Sequence, residues 1–356
     1  MPAIITHDTF GRETYDELHS LIGNSRDEAD AFLLGNQGPD PLFYSVADPR
    51  LRSVHRLGSR MHRECPSELL AALKHSIAVL DERNRSIGRA YALGFLCHYL
   101  LDSTIHPFVH WQEYEACDAG EPGLDRSDSS EVHAVIEREL DELVLFTKRG
   151  ETVATFDPSR EILRASNHVL SVISKMYAYV AMTVFGLAIP KDTFEASVKS
   201  FRRVQALFHS KSGFKREALA RAEELVRRYS FYRSMSHRAV ALEESIFDNR
   251  AHAPWKDPFT GKTSTDSFWD RYDAARARTK AALEKFAHDG FDMEAARAIT
   301  DDLDFSGEPT CATIVAVEDG DNTARAAAAA EGDCAHRAAA ATRAVGTIRA
   351  AATPPR

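Results

Sequence analysis

Apolar residues recur at helical spacing along most of the chain, and the strict alternation that marks half-buried strands is scarce. Ser25, with Glu28 three positions on, predicts a capped helix start before DEADAFLLG, and Gly35 is its expected stop. Residues 67–81 carry a helical period. From Ser86 to about Ser103 the chain is apolar nearly all round, as a fully buried helix requires, and Pro107 beyond it is a residue able to end that helix. Asp157 before Pro158 opens a long core helix running to about Phe185, with Pro190 as its breaker. Further helices are expected at 192–209, 214–233, 235–247, 267–289 and 292–299. Residues 115–130 and 249–268 are rich in Gly, Pro, Ser, Asp or Thr and read as loops. The sum is an all-α, multi-helix bundle over residues 1–309. After about Pro309 the composition changes, and from Asn322 to Arg356 the chain is Ala-rich with no large aliphatic stripe, which predicts a disordered or weakly helical tail over 310–356.

Composition narrows the class. With 356 residues, 44% of them hydrophobic, the chain can bury a large core. A net charge of −9 without any block of Lys and Arg argues against a long nucleic acid as ligand. The start MPAIITHDTF shows no signal-peptide pattern, and no run of about 18 apolar residues stands out as a membrane span, so the expected location is cytoplasmic. The five cysteines are scattered and lack CxxC spacing, which fits a reducing compartment, and Cys97 reads as a small core residue.

The chemistry concentrates in HYLLDSTIHPFVH, residues 98–110. On a helix, His98 and Asp102 stand one turn apart on one face, and His106 continues it if the helix survives Pro107. A carboxylate in so apolar a segment costs several kcal/mol, roughly, unless a cation or hydrogen-bond donors meet it. About thirty residues on, EVHAVIERELDEL repeats the one-turn spacing with His133 and Glu137. Upstream lie His7, Asp40 in the loop GNQGPDP, and His62. Five imidazoles and three carboxylates suit a multinuclear zinc centre with positions left for water. The remaining histidines have no ligand spacing and read as structural or solvated, with His252 near Trp255 a minor candidate for substrate contact.

An early His, an Asp in a GPDP loop, HxxxD on an apolar helix, a following His-Pro and then HxxxE together resemble the bacterial zinc-dependent phospholipase C family, whose fold is related to single-strand-specific zinc nucleases. WKDPFTG and SFWDRYDAA are similar to segments of its intracellular branch. The resemblance implies two or three zinc ions held by His7, Asp40, His62, His98, Asp102, His106, His133 and Glu137. It also implies a bridging role for Asp102 and a ligand or general-base role for Asp40. His55 is the alternative to His62. The family pattern HxxxDxxxPxH, set against HxxxDxxxHP here, leaves His110 as the alternative to His106.

The expected function is therefore metal-assisted hydrolysis of a phospholipid or small phosphodiester, with transient contact to a membrane surface in the first case. The alternatives are a nuclease or phosphomonoesterase on the same scaffold, and a non-catalytic module with structural zinc.

Overall fold

The computed structural model of the chain describes residues 3–47, 52–120, 124–225 and 230–310. It is a helical bundle: α1 (Ile4–Ile22), α2 (Arg26–Gly35), a 3-10 segment (Asp40–Ala47), α3 (Arg52–Arg63), α4 (Pro66–Ala78), α5 (Arg85–Asp118), α6 (Ser129–Arg149), α7 (Pro158–Glu161), α8 (Asn167–Phe185), α9 (Thr193–Phe208), α10 (Phe214–Glu224), α11 (Phe231–Met235), α12 (Phe268–Ala287) and α13 (Met293–Thr300). The only strands among the described residues are β1 (Trp255–Lys256) and β2 (Thr263–Ser264), an antiparallel ribbon inside the expected loop 249–268. The Ala-rich tail from 311 on lies outside the described residues.

The axis of the bundle is α5, which packs against α2, α12, α6 and α4 and buries Tyr91, Phe95, Tyr99 and Phe108 completely or nearly so. It meets α2 through glycines. A Cβ at Gly94 would overlap the Phe32 carbonyl oxygen and one at Gly35 the Tyr91 carbonyl oxygen, so the two backbones touch. Helix α2 ends at Gly35 as expected, with Asn36 as its C-cap, and Gly35 also serves this close approach. At the other end of α2 the Ser25–Glu28 capping box forms as expected.

Several expected boundaries move, each for a tertiary reason. Pro107 does not end α5, which continues through it for eleven more residues to Asp118 and takes up the front of the loop expected at 115–130. The ring removes the N–H that would serve the Ser103 carbonyl, and the neighbouring Thr104 carbonyl accepts a hydrogen bond of 2.7 Å from Arg271 Nε on α12. The single helix expected from Asp157 to Phe185 is two, because Leu163 takes a left-handed φ of 58° and Ser166 caps a fresh start. The helix expected at 214–233 spans Phe214–Glu224, with a separate short turn at Phe231–Met235; residues 226–229 lie outside the described residues. No helix forms at 236–247. There His237 bonds Asp141 at 2.9 Å and Arg238 forks onto Glu142, and these long-range pairs tie the irregular segment to α6.

One expectation about membranes also changes. Helix α8 is long and apolar enough by composition to cross a bilayer, yet half of that window is buried inside the bundle. Its Tyr177 reaches the Gly38 carbonyl at 3.0 Å, so it serves as a core helix behind the Asp40 segment.

Candidate metal centre

Five pieces of backbone converge on one cavity of about 570 Å³. Helix α1 is anchored by its start: the Ile5 and Thr6 N–H groups, orphans of the first turn, bond the Asp141 carboxylate of α6 at 3.1 and 2.7 Å, which fixes His7 one residue on. The 3-10 segment opens with Asp40. Helix α3 brings His62, and α6 brings His133 and Glu137. Helix α5, continuous through Pro107, carries His98, Asp102, His106 and His110 at steps of four, followed by Glu113.

The side chains meet as the spacing predicts. His7 Nε2 is 3.0 Å from Asp102 Oδ1, and His98 Nε2 is 3.2 Å from Asp102 Oδ2. His62 Nε2 lies 3.0 Å from Asp40 Oδ1, with His98 Nε2 at 3.9 Å from the same oxygen. His106 and His133 each place Nε2 3.2 Å from Glu137 Oε1. His106 Nδ1, 3.9 Å from Asp102 Oδ1, links the two halves. All eight expected residues thus join one constellation, in which His7, His98 and Asp102, then Asp40, His62 and His98, then His106, His133 and Glu137 each present three ligand atoms close enough to share an ion. The side chain of His55 lies outside the described residues.

Two residues enlarge the set. Glu113 Oε2 accepts from His110 Nδ1 and His133 Nδ1, both at 2.9 Å. His110, the alternative to His106, stands beside it, and His110, Glu113 and His133 present a further three ligand atoms close enough to share an ion. Sequence reading missed Glu113 because it lies in a stretch expected to be beyond the helix and its partner His133 stands on α6. The second unforeseen contribution is a backbone carbonyl, that of Phe305, from the chain after α13.

The donor set fits zinc on the evidence of its hydrogen bonds. A carbonyl only accepts, so the ring nitrogen facing one must carry the proton. His98 Nδ1 faces the Asn36 carbonyl at 3.2 Å, His62 Nδ1 that of Gly58 at 2.8 Å, and His106 Nδ1 that of Phe305 at 2.8 Å. In the neutral rings each Nε2 then presents a lone pair to carboxylate oxygens, an arrangement of acceptors facing acceptors that a cation resolves. His98 Nε2 is the clearest case, being buried with no hydrogen-bond partner.

Electrostatics follow the same logic. Burial opposes ionisation of Asp102, but the imidazoles of His98, His106 and His7 outweigh it and hold the carboxyl well below the usual range. Burial likewise opposes and neighbouring histidines hold down Asp40, Glu137 and Glu113, the last to about 2. Against the same burial, Asp102 and Glu137 raise His106 to about 9, whereas His98, enclosed completely, is pushed down to about 4.

A family model for zinc-dependent phospholipase C matches residues 6–186, a span that contains every residue of the constellation from His7 to Glu137. No curated protein and no solved structure matches the chain. With eight spaced candidate side chains assembled in one cavity and a family match over half of the sequence, this chain belongs to the zinc-dependent phospholipase C family.

Proposed function

We propose that the protein is a phosphodiester hydrolase that cleaves a phospholipid or a similar small phosphodiester. The observation that carries this reading is the set of imidazoles whose Nδ1 protons are committed to backbone carbonyls while their Nε2 atoms converge with three carboxylates in one cavity. His7, His98 and Asp102, Asp40 and His62, and His106, His133 and Glu137 would hold two or three zinc ions. Zinc bound there supplies Lewis acidity toward a phosphoryl oxygen and lowers the pKa of water. Asp102 touches His7 and His98 and faces His106, so its two oxygens tie the halves of the centre together. Asp40, held ionised at the cavity wall, would orient an attacking water and take its proton.

The cavity walls suit an amphipathic phosphodiester. Arg63 and Arg126 line it with cationic groups, the latter stacked on Tyr114 and paired with Asp118. Phe43, Phe231 and Met235 provide apolar wall for the non-phosphate part of a substrate. The test is a chelation and zinc-readdition assay on a chromogenic phosphocholine ester beside a nucleotide panel, with Asp102→Asn as control. The reading expects ester hydrolysis that is lost on chelation, restored by zinc and reduced at least about a hundredfold in the variant. Hydrolysis of nucleotides alone would replace it with the nuclease or phosphomonoesterase alternative, and undiminished activity in the variant would remove Asp102 from the chemistry.

A further inference from the structure

Helix α10 is turned inside out. A surface helix buries its apolar stripe and exposes its charges, but α10 buries Arg216 together with Ala220. Arg216 donates to the Ser236 and Arg233 carbonyls at 3.0 and 3.1 Å and pairs with Glu217 at 2.6 Å. The acids of the helix also turn toward the protein: Glu223 accepts from Ser230 Oγ and the Tyr232 N–H at 2.8 Å each, while Glu217 and Glu224 pair with Arg233. Solvent receives the opposite stripe. Phe214, Ala218, Ala222 and Leu225 follow one another at steps of four, four and three, and Phe214 and Leu225 are 78% and 86% exposed. Leu207, at the end of α9, adds a further exposed apolar side chain.

The charge left on this face is cationic, because the acids are engaged inward while Lys211 and Arg221 point to solvent. It also adjoins the cavity. Phe231, which is 42% exposed, sits 6.3 Å from the Phe208 ring on one side and lines the cavity on the other, and α11 packs on α6, the helix of His133 and Glu137. An apolar stripe flanked by cations is the surface that inserts at the headgroup level of an anionic bilayer. A second copy of the chain fits less well, since a two-fold contact would bring the same patch, with Lys211 and Arg221, onto itself and crowd its cations together.

We propose that the outward face of α10, with the end of α9, is a docking surface for anionic phospholipid membranes that seats the cavity mouth at the lipid interface. The delivery part rests on the phospholipid reading above; the docking part does not. The experiment uses the full chain in co-sedimentation with phosphatidylcholine vesicles, with and without phosphatidylserine. Phe214→Ser/Leu225→Ser and Lys211→Glu/Arg221→Glu are compared with the parent, alongside hydrolysis of a soluble phosphocholine ester.

Expected are binding that requires phosphatidylserine, a roughly tenfold or larger loss of binding in both variants, and unchanged turnover of the soluble ester. Vesicle binding without hydrolysis of any ester would leave the docking surface standing and overturn the phospholipase reading. Equal binding by parent and variants, or no binding by the parent, overturns the docking surface whatever the ester assay shows. A dimer of the lipid-free parent that Phe214→Ser/Leu225→Ser dissociates also overturns it, by assigning the face to a second copy.

Discussion

Glu113 shows how much of the centre rests on a single oxygen. Its Oε2 receives both the His110 and the His133 Nδ1 protons, so it fixes the tautomer in which His133 turns Nε2 toward Glu137. Outer carboxylates of this kind typically contribute about ten- to a hundredfold in metal affinity. Glu113→Gln is therefore expected to weaken zinc retention by that order while leaving the helical circular dichroism unchanged. Competition with a chromophoric chelator measures it, and retention equal to the parent would reduce Glu113 to a packing residue. His98 with Asp102 and His133 with Glu137 were legible from spacing alone, because an i, i+4 pair on a helix needs no tertiary information to share a face. Glu113 was not, since its partner His133 lies twenty residues away on another helix.

At the scale of elements, α5 decides the geometry. A proline inside a helix costs about 3 kcal/mol in an isolated context. Here the helix is held straight enough by burial and by Arg271 that His98, Asp102, His106, His110 and Glu113 share one continuous frame. The chain after α13 closes over the same turn. Gly307 has a φ of 76°, and a Cβ there would lie 2.7 Å from Pro107 Cγ and 2.8 Å from the Ser103 carbonyl oxygen. Two residues before it, the Phe305 carbonyl accepts the His106 proton. Gly307→Ala is expected to destabilise the protein by about 1–3 kcal/mol, through overpacking and a left-handed alanine. It should also weaken zinc binding although it lies two hundred residues from His106. Thermal melts in zinc and in chelator check both halves, and a melt identical to the parent would show that this loop yields without consequence.

For the whole molecule, zinc and folding are linked. An ion that binds only the folded chain stabilises it by about 2.7 kcal/mol at a free concentration a hundred times Kd. The pH dependence has a definite sign. In the metal-free chain the raised pKa of His106, about 9, contributes stability that is fully present below its unfolded value and is lost as pH rises through about 9. The same proton competes with zinc, so the rise in Tm on adding zinc should shrink as pH falls from 9 toward 6. Calorimetry at fixed free zinc across that range checks it, and a shift that grows on acidification would contradict the assigned role of His106.

The sequence by itself determined the helical class, the capped starts at Ser25 and Asp157, and the pairing of His98 with Asp102 and His133 with Glu137, because each depends only on residues within a turn or two of one another. Only the tertiary structure decided that α5 passes through Pro107, that residues 236–247 form no helix and are tied to Asp141 and Glu142, that the backbone carbonyls of Asn36, Gly58 and Phe305 set the imidazole tautomers, and that α10 turns Arg216 and its acids inward. These outcomes depend on partners far off in the chain. A helical period records which side chains share a face, but which face is buried and which carbonyl meets a given proton follow from the packing of the whole bundle.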